Sequence, residues 1–236
     1  MCIVTYTPLQ DGFVFTSSRD ESVHRQTGEP NFHIHGNNIL YYAKDLSKGG
    51  TWFAVDISKK KLCCLLNAAQ GAVQHGAFSS RGNLPIHMLS NTTSNNDFNY
   101  LPHILITLNF NSPPSLKQTY WNSVINKSFT PSVEKMHLWA SDNLYEQKDI
   151  LDFRKDWESL IHPSVEETIQ FHNACAQPLN SPIYKKKKAN IMTVSTTTVV
   201  KDQSRFELHY HNRITNTSTL LDYNDINMLS QTAPGD

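Results

Sequence analysis

Residues 1–7 read Met1-Cys2-Ile3-Val4-Thr5-Tyr6-Thr7, and residues 11–21 read Asp11-Gly12-Phe13-Val14-Phe15-Thr16-Ser17-Ser18-Arg19-Asp20-Glu21. The first stretch is rich in β-branched and aromatic side chains and predicts a strand over residues 2–7. Asp11-Gly12 is a turn signal, and residues 13–18 predict the returning strand, so the chain opens with a β-hairpin. In such a hairpin the end of the second strand lies beside the start of the first. Arg19 and Asp20 are therefore expected near Cys2.

Working outward, strands are predicted at 38–43, 51–57 and 61–66, the last two a hairpin turned at Ser58-Lys59-Lys60. A short helix is expected at about 81–90, and further strands at about 103–109, 117–122 and 134–140. The stretches 22–38 and 91–100 read as loops, as does the Pro113-Pro114 pair. Ile150, Phe153, Trp157, Leu160 and Ile161 recur at helical spacing and predict a helix over 146–161. Ser164 and Glu167 have capping-box spacing and start a second helix, with Val165, Ile169 and His172 sharing a face. A closing hairpin, 190–200 and 204–212, turns at Lys201-Asp202-Gln203. Beyond Asn212 the chain reads as a polar tail with little to pack. Strands with helices inserted in blocks argue for an α+β protein of mostly antiparallel sheets covered by helices. No repeat or long linker divides residues 1–236, which read as one domain with its core in 1–212.

The chain carries 21 basic and 21 acidic residues, with 39% hydrophobic and 18% charged. Zero net charge supplies no general field for nucleic acid or anionic membranes, so nucleic-acid binding is not expected. The basic run Lys185 to Lys188 reads as a solvated loop. No apolar stretch approaches the ~20 residues of a membrane span. Polar Thr5, Thr7, Gln10 and Asp11 break any signal-peptide pattern, and the expected location is cytoplasmic. Cys2, Cys63, Cys64 and Cys175 have no disulfide-framework spacing, and adjacent Cys63 and Cys64 fall on opposite faces of a strand.

Cys2 draws attention through its position. Removal of Met1 leaves a cysteine carrying its own α-amine. A thiol of reference pKa near ~8.5 and an amine near ~8 exchange a proton at little cost, so one residue supplies nucleophile and base. Asp20 beside it can hold the ammonium form, and Arg19 can lower the thiol pKa or orient an anionic substrate. Gly49-Gly50-Thr51-Trp52 reads as a tight turn feeding a strand, with Trp52 in the core or at a pocket wall. Arg81-Gly82 stands at a possible helix start that can bind an anion, although a simple turn is the plainer reading of the pair. His33-x-His35 and His209-x-His211 place two rings on one strand face, yet no Cys or carboxylate stands at complementary spacing. Neither a metal nor another cofactor is expected.

Met1 to Val4, Ser18 to Glu21, Gly49 to Trp52, Leu66-Asn67 and Ser80 to Leu84 occur in a fixed order. Together they resemble the transport and Golgi organisation family, also known by its Asn-Arg-Asp-Glu signature. His137 to Ser141 with Leu144-Tyr145 is similar to a later segment of its bacterial members. The resemblance is good over 1–90, moderate over 134–160 and poor from about 175. It implies the four-layer αββα sandwich of N-terminal-nucleophile hydrolases, a superfamily that includes bile-salt hydrolases and penicillin V acylases. Carried over, it implies Cys2 as nucleophile, Arg19 and Asp20 as the charged pair behind it, and Asn67 as oxyanion donor with Asn143 as a second. Trp52 and Arg81 are the candidate substrate contacts. Ser18 stands where the signature has Asn, and neither Arg205 nor Arg213 sits in a motif matching the acylases' late arginine. The implied reaction is hydrolysis of a small, non-peptide C–N amide. The competing expectation, also from the family, is a non-catalytic carrier for haem, acyl-coenzyme A or lipid-like ligands. Either way the partner is a small molecule.

Overall fold

Thirteen strands and three α-helices follow one another in the computed structural model, which describes residues 3–68, 78–91, 100–122, 125–184 and 190–222. Strand β1 (Ile3–Leu9) pairs antiparallel with β2 (Gly12–Ser22), from Ile3 opposite Ser18 to Leu9 opposite Gly12. The turn is Gln10-Asp11, and Gly12 is already in the strand. A side chain there would meet the Lys201 carbonyl oxygen at 1.8 Å, so only glycine lets the neighbouring strand close in.

Two sheets result. The first runs β10-β1-β2-β11-β12-β13, and the second runs β3 to β9 in chain order. In the first, β10 (His137–Ala140) flanks β1, and the closing hairpin of β11 (Ile191–Lys201) and β12 (Phe206–Asn212) attaches along β2. Strand β13 (Thr217–Leu221) extends β12, with Leu221 buried. This corrects the polar tail expected beyond Asn212: five of those residues complete the sheet. The second sheet holds β3 (Asn31–His35), β4 (Asn38–Tyr42), β5 (Phe53–Asp56), β6 (Lys61–Asn67), β7 (His103–Asn109), β8 (Ser115–Asn122) and β9 (Ile125–Phe129). Strands β3 and β9 are its edges and were not expected from sequence. Strand β9 is exposed at every position, so it carries no buried face for alternation to reveal.

Period-two alternation sorts the side chains into layers. Val4, Tyr6, Phe13 and Phe15 of the first sheet meet Phe53, Val55, Leu62, Cys64 and Ile106 of the second in the central core. On the outer face of the first sheet, Ile3, Leu138 and Ala140 pack under α2 (Gln147–Ser159) through Ile150 and Trp157, and under α3 (Val165–Ala174) through Phe171. On the outer face of the second, Cys63 and Leu65 pack under α1 (Leu84–Ser90) through Ile86 and Leu89. The order helix, sheet, sheet, helix is the αββα sandwich. Cys63 and Cys64 do face opposite layers, both fully buried.

Helix α3 begins on the Ser164–Glu167 capping box, Ser164 Oγ accepting from the Glu167 N–H and Glu167 Oε2 from the Ser164 N–H. Thr168, Phe171 and His172 form its buried face, whereas Val165 and Ile169 are half-buried. His172 bridges the first two strands, one ring nitrogen 2.8 Å from Thr5 Oγ1 and the other 2.7 Å from Ser18 Oγ. Burial, joined by the Arg213 charge, pushes the ring from its usual 6.5 down to about 3. The folded chain thus holds the ring neutral while the unfolded chain takes up a proton between those values. Stability conferred by the neutral ring is complete above pH 6.5 and declines as pH falls, by about 1.4 kcal/mol per pH unit for one proton. Urea unfolding at pH 7, 6, 5 and 4 should show this decline, and His172→Gln should flatten it by about one proton. Identical slopes in the two proteins would remove His172 from the account.

Among the described residues, no helix is long and apolar enough to cross a membrane.

Candidate functional site

Strand β2 is long enough to carry Ser18, Arg19, Asp20 and Glu21 inside the sheet. Alternation then sends Arg19 and Asp20 to opposite faces. Arg19, 1% exposed, enters the space between the sheets, where its guanidinium carbon stands 4.0 Å from the centre of the Trp52 ring. It donates to Thr27 Oγ1 and, at 3.3 Å, to Asp45 Oδ2. Asp20 turns toward the helices, accepting from the Tyr145 hydroxyl and, at 2.5 Å, from Thr193 Oγ1.

Around Arg19 the charges form a closed set. Asp45 accepts from the Ser47 and Lys48 N–H groups through Oδ1, while its Oδ2 lies 2.6 Å from Arg25 Nε. Glu21 accepts from the Ser22 N–H and, at 2.9 Å, from Arg25 Nη1, with Arg19 at 4.0 Å. Burial works to raise the Glu21 carboxyl, but the Ser22 N–H and the Arg25 and Arg19 charges hold it below its ordinary range.

This set forms one wall of a cleft of about 290 Å³, whose lining also includes Trp52, Leu65, Asn67, Phe78, Arg81 and Leu101. Asn67, the last residue of β6, presents its side chain there. One carboxamide atom, Oδ1, is buried without a hydrogen-bond partner among the described residues, and Trp52 Nε1 is in the same condition. The Ser141 hydroxyl, just past β10, lies within hydrogen-bonding reach of the Asn67 backbone carbonyl and, at 2.9 Å, of Asn143 Oδ1. Its single proton serves one at a time.

Arg81 reaches the cleft through a close backbone contact. The Thr51 N–H donates to the Gly82 carbonyl at 2.8 Å, and a side chain at Gly50 would meet the Gly82 carbonyl carbon at 2.4 Å. The two glycine-bearing motifs read from sequence are thus pressed against each other, and a 3₁₀ turn (Arg81–Asn83) follows. Arg81 Nη1 donates to the Pro102 carbonyl at 2.7 Å.

Four sequence candidates, Arg19, Trp52, Asn67 and Arg81, therefore line one cleft. Asn143 is joined to its edge through Ser141, and Asp20 lies on the other face of β2. Cys2 lies outside the described residues, as does the Lys185 to Lys188 run. Strand β1 begins at Ile3, opposite Ser18 and Ala140; Arg19 follows Ser18 on β2, and Ser141 follows Ala140 just past the end of β10. Arg205 pairs with Asp202, and Arg213 bonds Asn173 and Thr196; neither lines the cleft. Asp45, Arg25 and Ser141 were not singled out from sequence. Ser141 sits inside the quoted His137 to Ser141 motif, but nothing around Asp45 marks it as the acid that Arg19 and Arg25 share.

The histidine pairs serve the surface. His33 stacks on Tyr42 at 4.0 Å between ring centres, and His35 Nε2 lies 2.8 Å from the Tyr42 hydroxyl. His209 pairs with Glu207, and His211 with Ser218. Among the described residues, no three His, Cys, Asp or Glu side chains gather where a metal ion would fit.

The family model described as Transport and Golgi organisation 2 matches residues 1–190. No curated protein sequence matches the chain. Among solved structures, a penicillin V acylase from Agrobacterium tumefaciens is similar at a TM-score of 0.57 and 10% identity, covering 96% of this chain and 88% of the other. A mutant of a conjugated bile acid hydrolase from Clostridium perfringens is similar at 0.57 and 8%, covering 94% and 92%. Another variant of that hydrolase gives 0.58 and 8%, covering 93% and 92%. At these identities the likeness is one of fold, the N-terminal-nucleophile hydrolase sandwich of antiparallel sheets. Strands β11 to β13 lie beyond the family match yet supply half of the first sheet.

Proposed function

This chain belongs to the Transport and Golgi organisation 2 family, and from that premise we propose that it is a cysteine N-terminal-nucleophile hydrolase that cleaves a small, non-peptide C–N amide in the cleft of Arg19 and Asn67. One observation carries the reading. Asn67 lines that cleft on the side where β1 begins. Its carboxamide Oδ1 is buried with no hydrogen-bond partner among the described residues, so turning the amide to aim its N–H group at a ligand breaks no bond at that oxygen. Cys2 is bonded to Ile3, so its α-carbon lies about 3.8 Å from that of Ile3.

Once Met1 is removed, the α-amine of Cys2 takes the thiol proton, and the thiolate attacks the amide carbonyl. The resulting oxyanion is held by the Asn67 amide N–H. Collapse breaks the C–N bond, the ammonium returns its proton to the leaving amine, and a thioester remains on Cys2. Water, deprotonated by the same amine, then releases the acid and restores the thiol. Arg19 supports the thiolate by its charge, and the Asp20 carboxylate stabilises the ammonium form from the helix side. Asn143 orients Ser141, and Trp52 with Arg81 forms the substrate wall.

Intact-protein mass spectrometry, before and after limiting iodoacetamide with peptide mapping, tests the premise. Loss of Met1 with labelling concentrated on Cys2 is expected. Retained Met1 with a sluggish Cys2 would leave the cleft to the competing role of carrying a haem-like or acyl-thioester ligand. For Asn67→Ala, kcat on a cleaved amide should fall by about 10²–10³-fold with little change in KM. An unchanged kcat would take the oxyanion role from Asn67.

A further inference from the structure

We propose that the cleft contains an oxyanion subsite formed by Arg81 and Lys48, which binds a carboxylate- or phosphate-type group on the ligand. The inference deepens the reading above by naming the substrate class, an amide that also bears an anionic group, and it rests on that reading only for the identity of the reaction.

The argument is an accounting of charges. Four cations, Arg19, Arg25, Lys48 and Arg81, line the cleft against two carboxylates, Glu21 and Asp45. Both carboxylates are already committed. Asp45 is shared between Arg19 and Arg25 through one oxygen, and its other oxygen is taken by two backbone N–H groups. Glu21 is likewise divided between Arg25 and the Ser22 N–H. Neither gives Arg81 a hydrogen bond or ion pair among the described residues, and Glu21 acts on it only from a distance. Its guanidinium has five N–H donors, and its one hydrogen bond among the described residues goes to the Pro102 carbonyl. No carboxylate lies within ion-pair distance of it or of Lys48 among the described residues.

Arg81 is also half-buried, and burial, followed by repulsion from Arg25, pulls its pKa down to about 10 against the smaller opposing attraction of Glu21. A cation held in this way is stabilised by any anion that enters. The planar fork offers the geometry that matches carboxylate or phosphate oxygens pairwise. Lys48 stands exposed at the rim and adds a second charge at the entrance, without an ion-pair partner among the described residues. The backbone contact between Thr51 and Gly82 fixes the segment that carries Arg81, so the fork is presented without reorganisation of the wall.

The test uses probes that contain no amide, so binding is read independently of turnover. Titration calorimetry compares 5-phenylpentanoate with 5-phenylpentanol, which differ in the charged end. The carboxylate is expected to bind at least about tenfold more tightly. Arg81→Gln should abolish that preference, a loss of about ten- to a hundredfold for the carboxylate with the alcohol unchanged. Should Arg81→Gln fail to fold, Lys48→Gln at the exposed rim reads the same subsite, with an expected loss of a few-fold that shrinks as salt is raised. Inorganic phosphate, used as a competitor, separates the sources: displacement assigns a phosphate-accepting subsite, and binding of the carboxylate undisturbed by phosphate assigns a carboxylate subsite. Equal affinity for carboxylate and alcohol, or a carboxylate preference that survives both substitutions, overturns the proposal. Turnover of neutral amides with no anion preference would do so while leaving the hydrolase reading intact. Anion binding without turnover of any amide would do the reverse.

Discussion

Cys2→Ala is expected to abolish amide turnover, by about 10⁴-fold or more, while leaving the unfolding curve in urea unchanged. The size of the effect follows from what the residue supplies. With the thiol gone no covalent intermediate forms, and the α-amine has no proton to move, so oxyanion stabilisation and binding alone remain. The other cysteines cannot stand in. Burial pushes the Cys64 and Cys175 thiols up to about 12 and Cys63 well above its usual value, and all three are buried away from the cleft lining. They stay protonated at neutral pH, which also makes them poor competitors for an alkylating reagent. Cys2→Ser is the informative companion. It keeps the α-amine and the shape but presents a far weaker acid, so a small residual rate is expected rather than none. Full turnover in Cys2→Ala would end the hydrolase reading, and the cleft would then be a binding site alone.

The second large effect concerns stability. Arg19→Ala should cost about 3–5 kcal/mol, read from the shift in urea midpoint at constant slope. Arg19 is 1% exposed and its partner Asp45 is 5% exposed. Removing the guanidinium leaves Asp45 to a single arginine and Thr27 without its donor, and strips the cation from the face of Trp52. Water has little access to repair these losses, so the desolvation cost of the buried carboxylate falls on the folded state. Arg19→Lys separates charge from geometry. A lysine retains the charge but neither the fork nor the stacking, and should recover part of the loss. A cost below about 1 kcal/mol for Arg19→Ala would mean that Arg25 suffices to neutralise both acids and that Arg19 is held there for the ligand alone.

Much of this architecture is legible along the chain because it is written in local pattern. The opening hairpin, the β5–β6 hairpin, the capping box at Ser164 and the β11–β12 hairpin each rest on turn chemistry or periodicity within a dozen residues. Strands β3 and β13 escape that logic: β3 has no fully buried position and β13 only Leu221. Their identity comes from the strand they pair with. The site divides in the same way. Residue types and order were enough to pick out Arg19, Trp52, Asn67 and Arg81, which share the cleft. The extension of β2 through Ser22 was not visible, and it is this extension that parts Arg19 from Asp20. Asp45 and Ser141 act through partners 26 and 74 residues away, a separation that no window on the sequence spans.

Gly50 and Gly82 have a practical bearing on any attempt to retool the cleft for another ligand. A side chain at Gly50 would meet the Gly82 backbone at 2.4–2.8 Å and has no room. One at Gly82 would meet Gly50 at 3.3 Å and fits only if that turn gives way by a few tenths of an ångström. The turn ending at residue 50 holds Asp45 and Lys48, and the segment at 82 holds Arg81, so the acid, the rim lysine and the second arginine travel as one part. Redesign of specificity is therefore better directed at half-buried residues elsewhere in the cleft lining, such as Phe78 and Leu101, than at the joint itself. Moving either loop shifts the whole charged wall.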